Sequence, residues 1–196
     1  MLNQEQYERF ISHLPKDIST SFKEAVKEEA NFIVLKKGEI LFDEYTKNNK
    51  GYLILKGSCV RCIITPNGDE KVVFFHTEDF IPIIGNAYVR SENSIVSYSL
   101  KANENTEVVE IDISIQEFIK TDTAYIQFAT QNALRFFAIQ NQIQNHLIGL
   151  SSEDFFQWLI KEYSFIFQRF QSKDIASFMG VTPTWLSLLK RKVTQK

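Results

Sequence analysis

The segment from residue 172 to 192 constrains the fold of this chain more than any other stretch. Ile175 and Met179 lie four residues apart, which places both side chains on one face of a short helix. Ala176 is small at a point where a second helix has to cross closely. Gly180 can adopt the left-handed backbone conformation of a tight turn. These features predict a short helix that ends at a turn near residue 180.

The second half of this segment has its own start and packing pattern. Thr182 is typical of an N-cap residue, and Pro183 fits the first helical position, where its missing N–H costs nothing. Leu186 and Leu189 are spaced to face back toward the first helix, which Ser172 is expected to cap. The segment therefore predicts a helix-turn-helix whose second helix is presented outward. An ordinary helical hairpin is the alternative interpretation.

The C-terminal end is basic, although the protein as a whole is slightly acidic. From Arg169 onward there are six basic residues and one acidic residue, Asp174, whereas the whole chain has a net charge of −2. A basic tip on an acidic body is typical of proteins that bind nucleic-acid phosphates. A solvated helix end gives the same charge pattern, so the charge is informative only together with the helix-turn-helix.

A long helix is predicted upstream of this motif, from about Thr123 to Leu150. It contains no proline, and its only glycine is Gly149. Seven of the eight a and d positions of a heptad are apolar, which is typical of a coiled-coil seam, and a polar residue such as Gln140 at an a position commonly fixes the register. We expect a homodimer, although this stripe can also pack on the chain's own N-terminal domain. The predicted seam consists of Ile126, Ala129, Ala133, Phe136, Gln140, Ile143, Leu147 and Leu150.

The first 122 residues combine two amphipathic helical stretches with a series of short strands. Helical spacing runs from Tyr7 to Leu14, and a second stretch includes Phe22 and Val26. Short apolar runs separated by turn residues favour a sandwich, barrel or roll over a parallel sheet. The predicted strands cover residues 31–35, 40–42, 51–55, 59–64, 71–76, 95–101 and 107–113.

Composition excludes several classes of protein. Hydrophobic residues make up 44% and charged residues 23% of the 196 residues, which is ordinary for a globular protein with a sizeable core. There is no run of about 18 apolar residues, and the polar N-terminus lacks a signal-peptide core, so we expect a cytoplasmic protein without a membrane partner. Two cysteines fit a reducing compartment.

The residues from Asp174 to Pro183 resemble the helix-turn-helix of the Crp/Fnr regulators, the family of the cyclic-AMP receptor protein. Lys37–Glu39, Tyr52–Gly57 and Asn67–Glu70 are similar to the family's cyclic-nucleotide-binding β-roll, and the heptad helix is similar to its dimerisation helix. The resemblance implies an α+β fold, with a double-stranded β-helix (a jelly-roll-like β-roll) at residues 1–122, a dimerisation helix at 123–150 and a short helix-turn-helix domain at 151–196. It also implies a homodimer that controls transcription from a roughly palindromic site in double-stranded DNA, with RNA polymerase as a further partner.

The stretch that matches the family's ligand cassette departs from it. There, a glutamate binds the ribose and an arginine binds the phosphate, whereas the matching positions here are Ile83 and Val96, with Arg90 as a candidate substitute. A buried phosphate without its bidentate arginine is poorly compensated. We therefore expect little or no cyclic-AMP binding, and either an unknown small-molecule effector or none. The predicted effector pocket consists of Ile83, Ile84, Gly85, Arg90, Val96, Ser97 and Gln140.

Other sensing chemistries and catalysis find little support in the residue types. An iron–sulfur cluster needs about four cysteines, whereas the chain has only Cys59 and Cys62, which would point to opposite faces of a strand. His13, His76 and His146 are too scattered for a metal cluster, and haem ligation by His76 is a minor alternative. No metal, cofactor or enzymatic activity is expected, since a cupin-type enzyme would leave the heptad and the helix-turn-helix unexplained.

The second helix of the motif also departs from the family. Its members often place glutamate and arginine where this chain has Thr184 and Leu188, and leucine can contact a thymine methyl but cannot hydrogen-bond a base edge. The alternative function is a small-molecule-binding signalling protein whose helix-turn-helix has lost specific DNA binding. The predicted DNA-binding residues are Lys173, Thr182, Pro183, Thr184, Ser187, Leu188, Lys190 and Arg191.

Overall fold

The computed structural model of the chain describes residues 2–44, 50–85, 97–112 and 121–194. Within these ranges the architecture is α+β, with helices at both ends and two antiparallel sheets between them. None of the helices in these ranges is both long and apolar enough to cross a membrane. The helices are α1 (Gln4–Ser12), α2 (Thr20–Glu29), α3 (Thr123–Gly149), α4 (Ser152–Glu162), α5 (Ser164–Arg169), α6 (Ser172–Phe178) and α7 (Pro183–Thr194).

The strands form two four-stranded sheets that enclose an apolar interior. One sheet has the strand order β1-β8-β3-β6 and the other has the order β2-β7-β4-β5. The predicted strands are confirmed, except that the strand predicted from residue 95 begins at Ser99 and the one predicted to residue 113 ends at Ile111, and the short β6 was not predicted. The strands are β1 (Asn31–Leu35), β2 (Ile40–Phe42), β3 (Gly51–Lys56), β4 (Ser58–Ile64), β5 (Glu70–Thr77), β6 (Ile83–Gly85), β7 (Ser99–Ala102) and β8 (Thr106–Ile111).

Strand β3 is buried on both faces, which explains its continuous apolar sequence. Because side chains alternate along a strand, Tyr52 and Ile54 face the interior of the roll, and Leu53 and Leu55 face the other way. The second pair packs on α1 and α2, in a cluster that includes Phe22. The two N-terminal helices therefore cover the outside of one sheet.

The long helix α3 begins where Asp122 accepts a hydrogen bond from the backbone N–H of Tyr125, at 3.1 Å. The helix crosses the other sheet. Phe136 meets Phe74 of β5 edge-to-face, with 5.1 Å between the ring centroids. Farther along the helix, Ile143 is only 4% exposed. One side of α3 is therefore part of the chain's own core.

The C-terminal helices dock on the outer face and free edge of β5. Phe75 contacts Phe170 and Phe178, at centroid distances of 4.5 and 4.9 Å. At the edge of the strand, the backbone N–H of Val72 donates to Oγ of Ser177 in α6, at 3.0 Å. Covering an edge strand in this way removes a site for unwanted strand pairing.

Candidate functional site

The C-terminal end of the chain forms the predicted helix-turn-helix. Between α6 and α7 Gly180 has a φ of +66°, and the backbone N–H of Val181 donates to the carbonyl of Ala176 at 3.0 Å. Oγ1 of Thr182 accepts a hydrogen bond from the backbone N–H of Trp185 at 3.2 Å. The left-handed glycine and the threonine N-cap are both confirmed.

Apolar residues of α6 and α7 pack in one core cluster with residues of β4 and β5. This confirms the prediction that these apolar side chains face inward. The prediction that Ser172 caps α6 is wrong, because the helix already includes Ser172 and the cap position is Gln171. Oγ of Ser172 instead accepts a hydrogen bond from Nζ of Lys190, at 2.8 Å. The buried residues are Ile175, Ala176, Phe178, Met179, Leu186 and Leu189.

The outer side of α7 is exposed from Pro183 to Lys192. Leu188, at 40% exposure, lies beside three polar or charged residues spaced three and four apart, namely Thr184, Ser187 and Arg191. Lys173 and the cap residues Thr182 and Pro183 are exposed as well, while Lys190 is half-buried. The structure thus brings the predicted DNA-binding residues onto one end of the molecule.

Two residues at this end were not among the predicted ones. Trp185 is 38% exposed on α7, and its Nε1 donates to Oγ of Ser152 at 3.0 Å. Nζ of Lys192 lies 5.9 Å from the centre of the indole and 2.7 Å from a carboxylate oxygen of Glu153. These contacts fix α7 against α4. The sequence could have indicated that Trp185 makes a specific contact, since a large aromatic residue next to the outward face of a helix is unusual.

The described residues of the predicted effector pocket do not all line one site. Ile83, Ile84 and Gly85 line an apolar cavity of about 50 Å³ next to α1 and α2, and Ile84 also packs in the interior of the roll. Gln140 lines a different cleft, of about 310 Å³, between β5, α3 and the helix-turn-helix. Ser97 is exposed. The remaining two, Arg90 and Val96, lie outside the described residues.

The predicted dimer seam is divided between the inside and the outside of the molecule. Ile143 is buried, and Ala129, Ala133, Phe136 and Gln140 are half-buried. The exposed members are Ile126, Leu147 and Leu150, at 44%, 37% and 39%.

Other apolar residues of α3 are more exposed than the predicted seam. Leu134, Phe137 and Ile148 are 63%, 65% and 84% exposed. Their spacing follows a heptad shifted by one residue from the predicted one. Ile126 lies on the same side of the helix, so these four residues form an apolar stripe that faces away from the roll.

The cysteines and histidines show no arrangement for a metal within the described ranges, where no group of three or more potential ligands is close enough. Cys59 and Cys62 are free and buried, in different clusters on the two faces of the sheet. Burial raises the pKa of both thiols to about 12, so neither is a reactive thiolate at neutral pH.

Comparison with known proteins identifies the fold. No protein-family model and no curated protein sequence matches the chain. Among solved structures, FixK2 from Bradyrhizobium japonicum aligns with a TM-score of 0.69 at 12% identity, covering 85% of each chain. A CooA variant from Carboxydothermus hydrogenoformans also aligns at 0.69, with 14% identity over 100% of this chain and 87% of its own.

A third neighbour is CLP, described as a c-di-GMP responsive global regulator that links cell-cell signalling to virulence gene expression in Xanthomonas campestris. It aligns with a TM-score of 0.67 at 13% identity, over 90% of this chain and 92% of its own. These neighbours are regulators of the Crp/Fnr type. This chain has the α+β fold of the Crp/Fnr regulators.

Proposed function

We propose that the protein is a homodimeric DNA-binding transcription regulator that reads a roughly palindromic site through α7. The observation that carries the proposal is the outer face of α7, where Thr184, Ser187, Leu188 and Arg191 are exposed while the opposite face is anchored in the core. A helix presented in this way fits the major groove of DNA. RNA polymerase is the further partner that control of transcription would require.

The exposed residues divide into two roles. Lys173, Lys190 and Arg191 are placed to bind phosphates, which position a protein on DNA without specifying sequence. Thr184 and Leu188 are placed to meet base edges, where leucine can recognise a thymine methyl. Changing Leu188 to arginine should add a guanine-reading group and alter the preferred site rather than only tighten binding.

Dimerisation through α3 would give the protein two copies of this surface. The exposed stripe of Ile126, Leu134, Phe137 and Ile148 has no cover within the described part of the chain. Exposed apolar side chains that recur along one side of a helix can mark an association surface. In a symmetric pair, the two α7 helices would approach successive major grooves about 34 Å apart.

The sensor domain should bind cyclic AMP weakly or not at all. Ile83, at the position that matches the ribose-binding glutamate, packs toward the N-terminal helices and offers no hydrogen bond. Titration calorimetry tests this, since a dissociation constant near 1 μM corresponds to about −8 kcal/mol. Such tight binding would refute the expectation and point to Arg90 as a surrogate phosphate ligand.

A salt titration tests the DNA interface. Binding to duplex DNA should weaken steeply as salt rises, because each phosphate contact releases counterions. Arg191→Ala should weaken binding to all sequences and flatten the slope by about one unit per lost contact. Lys161→Ala is the matched control, because Lys161 is an 81% exposed cation at the end of α4 opposite to Ser152 and Glu153, which contact α7. If the two variants behave alike, the alternative of a signalling protein without specific DNA binding is preferred.

A further inference from the structure

The first half of α7 lacks the side chains that read guanine, adenine and cytosine directly. Residues 183–189 have the sequence PTWLSLL, with no charged residue, asparagine or glutamine. Arginine and lysine bind guanine, asparagine and glutamine bind adenine, and acidic residues accept from cytosine. Arg191 and Lys192 lie in the last turn, whereas a helix-turn-helix contacts base edges through the N-terminal residues of its second helix. Base reading by α7 therefore depends on hydroxyl and apolar groups.

Two of the polar groups in this half of the helix are already used inside the protein. Oγ of Ser187 donates to the carbonyl of Pro183 at 2.9 Å, and Nε1 of Trp185 donates to Oγ of Ser152 at 3.0 Å. Thr184 keeps its hydroxyl on the outer side. A hydroxyl can both donate and accept, so it pairs with more than one base and distinguishes them poorly. Selectivity is left to the apolar groups.

Three residues form an apolar reading face on this part of α7, namely Thr184, Trp185 and Leu188. Leu188 is 40% exposed and Trp185 is 38% exposed. Thr184 and Trp185 precede Leu188 by four and three residues, so both lie beside it on the helix surface. Because the one donor of the indole is bound to Ser152, the exposed part of Trp185 is apolar. The face thus combines a leucine side chain, an indole ring and the methyl group of a threonine.

Thymine is the base whose edge matches such a face. Its C5-methyl is the apolar group among the hydrogen-bonding groups that the bases present in the major groove. Burying one methyl group against apolar side chains increases affinity by about fourfold. Cytosine would instead bring an amino group and guanine two acceptors, and an apolar face leaves these polar groups without partners. The apolar reading face therefore favours thymine and disfavours both bases of a G·C pair.

We propose that the apolar reading face recognises thymine-rich half-sites through their C5-methyl groups, with Trp185 as a second methyl contact beside Leu188. This inference rests on the proposed function, because it concerns the same helix in the same groove, and it names the class of base that the helix selects. Phosphate contacts hold the protein on any duplex, whereas methyl contacts decide which duplex is preferred.

Replacement of thymine by uracil tests the methyl contacts, because uracil lacks only the C5-methyl group. The probes are duplexes that the full chain enriches from a random pool, each prepared once with thymine and once with uracil in the half-sites. The uracil duplex should bind more weakly by about fourfold for each contacted methyl group. Uracil placed only in the flanking sequence is the matched control and should leave the dissociation constant unchanged.

Leu188→Ala tests whether the protein makes these contacts through the apolar reading face. The variant should bind the thymine duplex more weakly and lose most of the difference between thymine and uracil, because the side chain that buries the methyl group is gone. Val34→Ala is the matched control, since Val34 is 61% exposed on β1, in the sheet that does not contain β5. It should keep the full difference. Circular dichroism checks that both variants are folded.

The outcomes separate this inference from the proposed function. Equal binding of thymine and uracil duplexes, enriched half-sites without thymine, or a folded Leu188→Ala that keeps the full difference would overturn methyl reading and leave the proposed function standing. Failure of the protein to enrich any duplex at moderate salt would refute the proposed function and methyl reading with it.

Discussion

Gly180 determines how α7 leaves the turn. Its φ of +66° is in the left-handed region, and a Cβ added there would meet nothing within 4 Å. The cost of a side chain is therefore that of the backbone alone, about 1 kcal/mol. We expect Gly180→Ala to lower the free energy of unfolding by this amount in urea titrations. Gly149→Ala is the control, because Gly149 ends α3 without a positive φ and should be neutral or slightly stabilising.

His76 makes stability depend on pH. Burial first, and then the charge of Arg61, hold the pKa of its imidazole well below the usual value, while the hydrogen bond to Ile81 opposes this shift. The unfolded chain takes up the proton near its ordinary pKa of about 6.5, so the unfolded state binds more protons as pH falls below that value. Stability should therefore decrease below about pH 6.5, by up to about 1.4 kcal/mol per pH unit.

His76→Gln should remove that part of the pH dependence. Urea titrations between about pH 5 and 8 measure it, and the two proteins should have parallel profiles above about pH 7.5. A smaller slope should remain in the variant, because burial also lowers the pKa of His13. Identical slopes in both proteins would show that His76 is protonated in the folded state.

Local sequence pattern predicted the turn well but did not predict that Arg61 packs among aromatic rings inside the roll. The roles of Gly180 in the turn and of Thr182 as the N-cap can be predicted from the residues next to them in the sequence. From the neighbouring residues, Arg61 is predicted to be a polar residue on the exposed face of a strand. The pairing of β4 with β5 and β7 places its side chain inside the roll instead. Ile83 shows a related difficulty, because it lies in the unpredicted three-residue strand β6, and the face of the sheet to which its side chain points follows from that strand.

The long helix was predicted with nearly its observed bounds. The heptad did not show which face of the helix packs on the chain's own β-roll and which face is exposed. Leu134, Phe137 and Ile148 lie on a heptad one residue later, whose other positions are mostly polar, so the sequence periodicity favoured the predicted face over this one. Phe136 and Ile143 pack in the core cluster that α3 shares with β5 and the C-terminal helices. Charged residues at those two positions would therefore disrupt the fold rather than only dissociate a dimer.

The exposed stripe gives a cleaner test of dimerisation. Phe137→Glu should place uncompensated charge in the seam and produce a folded monomer at micromolar concentration in sedimentation experiments. Gln131→Glu is the control, because Gln131 is exposed on a different side of α3 and should leave the dimer intact. A monomeric unmodified protein would contradict the expected seam.

The β-roll and the helix-turn-helix part are held together by polar as well as aromatic contacts. Nη2 of Arg169 lies 2.7 Å from Glu78, its Nε lies 2.9 Å from Glu104, and its carbonyl accepts from Asn103 at 3.1 Å. Such contacts between distant parts of the sequence follow from tertiary packing, so composition and periodicity could not predict them. They make the position of the helix-turn-helix depend on the roll.

Arg169→Gln should therefore loosen this docking. We expect a loss of about 1 kcal/mol in the free energy of unfolding, because the side chain is partly exposed and solvent screens its ion pairs. Limited proteolysis should also cut the variant faster between the two parts. Lys161→Gln breaks a pair with Glu162 that is 3.8 Å long and mostly exposed, and should change stability by less than about 0.5 kcal/mol.

Selection of bound sequences from a random pool of duplex DNA tests whether α7 is a sequence reader in a symmetric dimer. The expected result is one enriched palindromic motif at moderate salt, with half-sites about one helical turn apart. Leu188→Arg should shift that motif, and Arg191→Ala should weaken binding without changing it. Absence of any enriched palindrome, together with unchanged binding by Arg191→Ala, would contradict the proposed function.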